Sequence, residues 1–439
     1  MNLKGKTVTV IGLGNSGVNA ALLLCDVGAI VRATDSQDTP ATRDVRKALE
    51  RKAIKVEIGG HTESFIKGSG LIVASPGVED SSPAIKWAAG FSIPIIGEME
   101  LGFRFCKGRI IAITGTNGKS TVTGLIGEIL KDGGLDAVVC GNIGNSLCGE
   151  ISRIKIDTWV VLEVSSFQLE RIDEFKPKIA VILNVTDDHM DRYTRFSDYF
   201  SEKLKIFRNQ DDTDVLILNY DAKNLRELGG RTRSRVLFYS RSQNAGAANK
   251  IYDVSDMKLK GRHNVENVLA SCLVGSVVGV KEDSMRNTIR DFKGLPHRFE
   301  TIAVIDGVEY IDDSKGTTVD STVRALESCE KSVILIAGGK DKHSDYSAAR
   351  DIVREKVRHL ILIGEARDAI KQALEGASEI HIAKDMLDAV TMAHGLADGD
   401  SVVLLSPMCS SFDMFTGYKE RGVVFKRAAM GLKGRLQKA

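Results

Sequence analysis

Short apolar runs rich in Val and Ile recur along the chain. Each is followed by a turn and then by a stretch in which apolar residues return every three or four positions. That alternation predicts an α/β protein with parallel sheets covered by helices on both faces. In a first block, strands are expected at Thr7–Ile11, Ile30–Thr34, Leu71–Ala74 and Ile93–Ile96. In a second they are expected at Arg109–Thr114, Ala137–Cys140, Thr158–Val164, Ile179–Val185 and Val215–Leu218. In a third they are expected at Val304–Ile311, Ser332–Ala337, His359–Ile363, Glu379–Ile382 and Ser401–Leu405. Ile93-Pro94-Ile95-Ile96-Gly97 closes the first block before a helical stretch containing Glu98, Glu100 and Leu101, and Gly294-Leu295-Pro296-His297-Arg298 separates the second block from the third. Three domains are therefore expected, at 1–97, 98–298 and 299–439. The basic run Arg231-Thr232-Arg233-Ser234-Arg235 reads as a solvated loop.

In open parallel sheets, ligands bind beyond the carboxyl ends of the strands. Thr7–Ile11 runs into Gly12-Leu13-Gly14-Asn15-Ser16-Gly17, a G-x-G-x-x-G between strand and helix. Glycines there tighten the turn and let backbone N–H groups approach a diphosphate. Asp35 ends the next strand, where an acid can bind a ribose hydroxyl, and Ala74-Ser75-Pro76-Gly77 makes a second wall. This fingerprint alone does not separate NAD from another diphosphate-linked nucleotide.

The second block is more specific. Arg109–Thr114 feeds Gly115-Thr116-Asn117-Gly118-Lys119-Ser120-Thr121 and then the helical stretch Val122–Leu130. This is the logic of a P-loop, in a shorter form than G-x-x-x-x-G-K-[ST]. Backbone N–H groups cradle phosphate, Lys119 neutralises β/γ charge, and Ser120 can ligate Mg²⁺. Glu163 lies inside an apolar strand, a costly place for an acid unless it meets a cation. With Ser120 it suits Mg²⁺, which prefers oxygen ligands, whereas His189 would be an unusual ligand for so hard an ion.

Composition adds mainly exclusions. The 60 basic and 58 acidic residues leave a net charge of +2, which gives no reason to expect a nucleic acid or acidic membrane partner. No apolar run is long enough to span a membrane, and no leader with a cleavage site is visible. The seven cysteines are scattered without a C-x-x-C pair, which reads as reduced thiols in a cytoplasmic protein.

Gly115–Thr121, Glu163-Val164-Ser165-Ser166-Phe167-Gln168-Leu169-Glu170 and Asn184-Val185-Thr186-Asp187-Asp188-His189-Met190-Asp191 together resemble the central domain of the Mur ligases. These are ATP-dependent amide-forming enzymes of bacterial peptidoglycan synthesis. The resemblance runs on through Gly294–Glu300, Asp313-Ser314-Lys315 and Ser406-Pro407-Met408-Cys409-Ser410-Ser411-Phe412-Asp413, and is nearest to the D-glutamate-adding members. It implies a Rossmann-like N-terminal domain that binds a UDP-sugar, a central P-loop-type ATPase domain and a Rossmann-like C-terminal domain. The implied substrates are ATP, UDP-N-acetylmuramoyl-L-alanine and D-glutamate. Two Mg²⁺ ions are implied, with a monomer as the working state.

The resemblance also assigns residues. Gly14, Asn15, Ser16, Asp35, Ser36, Ser75, Gly77 and Asn142 would hold the UDP-sugar. Gly115, Thr116, Asn117, Gly118, Lys119, Ser120 and Thr121 would hold the ATP phosphates. Asn264 and Asn267 would touch adenine, while Arg298, Asp313 and Lys315 would contact ATP from the third domain. Lys342, Ser411, Phe412 and Tyr418 would hold D-glutamate. Ser120, Glu163 and His189 would position Mg²⁺, so the resemblance favours a functional His189. Lys203 stands where the family carries an N-carboxylated lysine. Carbamylation would turn that cation into an anionic metal ligand, and it requires a neutral amine, hence a pKa brought down from about 10.4. Lys119, Glu163, His189, Lys203 and Arg298 are the implied catalytic set.

The implied chemistry is phosphorylation of a carboxylate by ATP and attack of an amine on the acyl phosphate. Two positions depart from the pattern. Asp35-Ser36-Gln37 lacks a basic residue that some relatives have there, and Lys340 stands where some carry an acid. Three rival readings fit less of the chain. A nicotinamide-dependent dehydrogenase leaves the P-loop without a task, a folylpolyglutamate synthase lacks the first 97 residues, and a non-catalytic nucleotide-binding regulator would be excluded by substrate-dependent phosphate release.

Overall fold

The computed structural model describes residues 1–186, 192–241, 257–259, 261–341 and 344–436. Three sheets follow one another along the chain. The first holds β1 (Thr7–Ile11), β2 (Ile30–Asp35), β3 (Lys55–Ile58), β4 (Leu71–Ala74) and β5 (Ile95–Gly97), in the order β3-β2-β1-β4-β5 and parallel throughout. The second holds β6 (Arg109–Thr114), β7 (Ala137–Gly141), β8 (Trp159–Glu163), β9 (Ile179–Ile182), β10 (Val215–Asn219) and β11 (Arg235–Tyr239). Its order is β11-β10-β9-β6-β8-β7, again parallel. The third holds β12 (Glu300–Ile305), β13 (Val308–Asp312), β14 (Ser332–Gly338), β15 (Val357–Ile363), β16 (Glu379–Ile382) and β17 (Ser401–Leu405), in the order β12-β13-β17-β14-β15-β16.

The inner strands read as continuous apolar runs because helices cover both their faces. Ile110 to Ile113, Val160 to Leu162 and Ile179 to Ile182 are all buried. In each sheet the chain leaves one strand to one side and later returns to the other. These reversals fall at β1/β4, at β6/β9 and at β14/β17. Such switch points open crevices at the carboxyl ends of strands, and the residues singled out by sequence cluster there.

The third sheet departs from the parallel expectation. Val304–Ile311 is not one strand. β12 and β13 run antiparallel, joined through Asp306 (φ 51°) and Gly307 (φ 81°). A two-residue Asp-Gly turn with both residues left-handed matches the twist of a hairpin, and it folds the apolar run back on itself. Ile179–Val185 is also shorter than expected, ending at Ile182 and freeing Leu183 to Thr186 for a loop. Two edge strands, β3 and β11, escape the apolar-run criterion because their residues are mostly half-exposed. Arg235, expected in a solvated loop, begins β11.

Two compact units are distinguished. The first comprises Met1–Asp253 with Glu266–Thr288 and carries the first two sheets; the second comprises Val254–Val265 with Ile289–Ala439 and carries the third. Within the first unit, the helix Glu98–Phe105 follows β5 directly and ties the two sheets together. Its Glu100 is fully buried and accepts hydrogen bonds from the backbone N–H groups of Asp173 (2.9 Å), Glu174 (3.0 Å) and Phe175 (3.0 Å). Arg104 Nε donates to the same carboxylate at 2.7 Å. Among the described residues no helix is long and apolar enough to cross a membrane. Among the described residues no disulfide joins any of the seven cysteines.

Removing the Glu100 carboxylate strands three backbone donors and a guanidinium. Glu100→Ala should therefore lower the stability of the chain by about 3–5 kcal/mol in urea unfolding, and Glu100→Gln by less, because the amide keeps one acceptor. A loss below about 1 kcal/mol for the alanine variant would contradict this account of the join.

Candidate functional site

The turn after β1 needs its glycines. Gly12 adopts φ 93°, and a Cβ on Gly17 would lie 1.8 Å from the Gly12 carbonyl oxygen. The helix Asn15–Asp26 then starts from Gly14 with no side chain capping it, which leaves N–H groups available to an anion. Asp35 steadies this turn by accepting from Leu13 N–H at 2.7 Å through one oxygen and from Gln37 N–H at 2.8 Å through the other. A cavity of about 700 Å³ opens above the turn. Gly14, Asn15, Ser16, Asp35, Ser36, Ser75, Gly77 and Asn142 all line it.

His61 lines the cavity as well, and sequence reasoning missed it. Its Nδ1 lies 2.8 Å from Thr34 Oγ1. Burial pushes its pKa down, against the pull of Asp35 and Glu57, so the ring is neutral at pH 7. The signal was Gly59-Gly60-His61 after β3, and it was hidden because β3 itself was not recognised.

In the second sheet the loop Gly115–Ser120 leaves β6 and is held from three sides. Asn184, in the loop after β9, accepts from Thr116 N–H with its carbonyl (2.9 Å) and from Asn117 N–H with Oδ1 (2.8 Å), and it donates Nδ2 to the Asn117 carbonyl (3.1 Å). Thr116 Oγ1 both donates to the Thr186 carbonyl and accepts from the Thr186 N–H. Gly118 turns at φ 84°, and a Cβ there would meet Asn267 Oδ1 at 2.4 Å, so Asn267 lies directly against the loop.

Lysines and an acid complete the arrangement. Lys119 Nζ donates to the carbonyls of Gly115 and Thr116, both at 2.8 Å. Lys203, buried on the helix Phe196–Leu204, donates to the same Gly115 carbonyl at 2.9 Å and lies 4.6 Å from the centre of the Tyr199 ring. Ser120 donates to Glu163, whose other oxygen accepts from Asn142 Nδ2 at 2.8 Å. Ser120 and Glu163 are both buried, as is Thr121 in the first turn of the helix Lys119–Asp132. One hydrogen-bonded path, Ser120–Glu163–Asn142, thus leads from the loop after β6 to the wall of the cavity above β1. His189 falls outside the described residues.

In the second unit, Arg298 sits between two non-glycine residues in left-handed conformation, His297 (φ 65°) and Phe299 (φ 52°). Strain of this kind persists only where neighbours enforce it. His297 pairs with Asp312 at 2.7 Å and its carbonyl accepts from Lys315 N–H at 3.1 Å; Phe299 N–H donates to Asp313 at 3.2 Å. Asp313 also accepts from Ser406 Oγ at 2.8 Å. Burial raises its pKa to about 7, against the hydrogen bond from Ser406 and the charge of Arg298. Lys315 Nζ lies 4.2 Å from the centre of the Tyr418 ring.

Ser411 is buried, whereas Phe412 is 72% exposed. Lys340 pairs with Glu365 at 2.8 Å on the surface. Asn264 lines a cavity of about 340 Å³ with Leu295, Pro296 and Phe299. Asn264 belongs to the second unit and Asn267 to the first. Lys342 falls outside the described residues.

Residues 6–97 match the domain family described as "Mur ligase MurD-like, N-terminal domain", residues 113–275 match "Mur ligase middle domain", and residues 297–409 match "Mur ligase, glutamate ligase domain". The UDP-N-acetylmuramoylalanine--D-glutamate ligase of Koribacter versatilis is 43% identical over 442 residues, 97% of either chain. Its namesake from Geotalea daltonii is 42% identical over 450 residues, 99% of either chain. Among solved structures, the UDP-N-acetylmuramate-alanine ligase MurC of Thermotoga maritima superposes with a TM-score of 0.62 at 18% identity, covering 97% of this chain and 99% of that one. MurF from Acinetobacter baumannii gives 0.61 at 14% identity, covering 97% and 91%. The structural likenesses speak for the fold; the sequence identity over nearly the whole length goes further, and by it the chain belongs to the Mur ligase family.

Proposed function

We propose that this chain joins D-glutamate to UDP-N-acetylmuramoyl-L-alanine at the expense of ATP, the reaction for which its full-length relatives are named. The observation that carries the reading is the Ser120–Glu163–Asn142 path, which couples a phosphate-type loop to a nucleotide cavity inside one compact unit. A dehydrogenase needs the cavity but has no use for that loop. A carboxylate-activating ligase needs both.

A carboxylate resists nucleophiles, so it is first converted to an acyl phosphate by transfer of the ATP γ-phosphoryl group, with ADP leaving. The amine of D-glutamate then attacks the acyl carbon, and the tetrahedral adduct collapses to amide and inorganic phosphate. The first step brings two anions together, so charge neutralisation carries most of it. We assign this to Lys119 and to Arg298. Asn264, Asn267, Asp313 and Lys315 are assigned to ATP, and Ser411, Phe412 and Tyr418, with Lys342, to D-glutamate. The UDP moiety is assigned to the cavity above β1, with His61 added to the expected set.

The donor set fits Mg²⁺. Ser120 Oγ and the Glu163 carboxylate are hard oxygen donors, buried side by side next to the loop. Ser120 and Glu163 would hold the ion, whose charge would offset that of the phosphates. Lys203 points to a second charge-bearing group. Its ammonium and that of Lys119 converge on one carbonyl oxygen, and two cations so close repel each other in a buried setting. Carbamylation of Lys203 would reverse its charge and supply a carboxylate to a second Mg²⁺. The activity is proposed for a monomer in the cytoplasm.

Substrate-dependent phosphate release tests the assignment of the loop. Lys119→Ala should reduce it about a thousandfold or more, and near-normal turnover would overturn the ATP reading. Lys203→Ala should be almost inactive and partly restored by a small added carboxylate such as acetate; full activity without additive would show that no carbamate is needed. In this reading Asp313 meets ATP as a carboxylate, a stronger hydrogen-bond acceptor than the protonated acid. With its pKa raised to about 7, kcat/KM for ATP should fall as pH drops through neutrality, approaching tenfold per pH unit. Asp313→Asn should flatten that limb, and an unchanged acid limb in the variant would remove Asp313 from the role.

A further inference from the structure

β16 is the outer strand of the third sheet and only four residues long, Glu379–Ile382. It pairs in parallel with β15 so that His359 stands beside Glu379 and Ile361 beside His381. Side chains two apart on a strand share a face. Glu379 and His381 therefore flank His359 on one face of the sheet. The distances are short. His359 Nδ1 lies 3.2 Å from His381 Nε2 and 3.3 Å from Glu379 Oε2, and His381 Nε2 lies 3.7 Å from Glu379 Oε1.

These separations match a metal site. Donors about 2.0–2.1 Å from a tetrahedral Zn²⁺ ion stand roughly 3.3 Å from one another. Two imidazoles and a carboxylate are a borderline-soft set suited to Zn²⁺ and poorly suited to Mg²⁺. His359 is held in place, its side chain 9% exposed, while Glu379 is 66% and His381 22% exposed, which leaves the cluster open to an entering ion. We propose that His359, Glu379 and His381 form a binding site for a single Zn²⁺ ion that clamps the edge strand β16 to β15.

The site is independent of the ligase chemistry. His359 lies near the amino end of β15, about 16 Å along the strand from the turn at Gly364. Asp313 and Lys315 follow the carboxyl end of β13 instead, and Ser411, Phe412 and Tyr418 follow that of β17. Its role is then to hold an edge strand that has few buried residues of its own.

The test uses the full chain, stripped with a chelator and titrated with Zn²⁺ alone in the presence of excess Mg²⁺. Co²⁺ serves as the spectroscopic probe of coordination. The comparison variants are His381→Ala and Glu379→Gln, chosen because both side chains reach solvent and their loss leaves the core intact. The wild type should bind one more equivalent of Zn²⁺ than His381→Ala. Its Co²⁺ complex should show the intense visible band of tetrahedral coordination, and Zn²⁺ should raise its thermal midpoint. Glu379→Gln should bind about tenfold more weakly or worse. Equal Zn²⁺ stoichiometry and affinity in wild type and His381→Ala, or Co²⁺ spectra that do not differ between them, would overturn the proposal and leave a hydrogen-bonded His–His–Glu cluster only.

Discussion

The carbonyl oxygen of Gly115 takes an ammonium group from each of two lysines, Lys119 at 2.8 Å and Lys203 at 2.9 Å. Much of the first unit follows from that meeting. A loop that must grip phosphate has to expose N–H groups, so its carbonyls turn inward, and inward carbonyls need donors. The two lysines supply them, one from the loop's own helix and one from the helix Phe196–Leu204. Concentrated positive charge then demands anions. Glu163, at the end of β8, is one within the chain, and the phosphates of ATP are the others in the proposed reaction. The apolar strands of the second sheet bring these groups to one crevice, because β6 lies between β8 and β9 at a switch point.

That crevice was legible in the sequence to the extent that its chemistry was local. Gly115 to Ser120 and Gly12 to Gly17 each occupy one strand-to-helix turn, so the order of residues alone locates both turns. Glu163 betrayed itself as an acid in an apolar strand. What escaped was chemistry assembled across distance. Asn184 braces the loop through three hydrogen bonds, yet nothing in its neighbours shows that it faces Asn117. His61 required recognition of β3, whose residues are too exposed to form an apolar run. The Asp306-Gly307 turn was visible in principle, but the apolar residues on either side were read as one strand.

The second unit shows the same division. Asp313-Ser314-Lys315 could be read as a motif, but not the clasp that shapes it. Arg298 owes its place to two left-handed neighbours, and those to the His297–Asp312 pair and the Phe299–Asp313 hydrogen bond. Burial, acting against the hydrogen bonds from Ser406 and Phe299 and the charge of Arg298, explains why Asp313 titrates near neutrality instead of in the usual carboxylate range. Under the proposed function Asp313 meets a nucleotide, and strongly shifted carboxylates cluster at sites of that kind.

The central claim is that the phosphate loop activates a carboxylate for one particular amine. It is tested most directly by measuring phosphate release with ATP and UDP-N-acetylmuramoyl-L-alanine while D-glutamate, L-glutamate and L-alanine are offered in turn. Release should be rapid with D-glutamate and close to background with the other two. Comparable release with L-alanine, or release that ignores the amino acid altogether, would contradict the account.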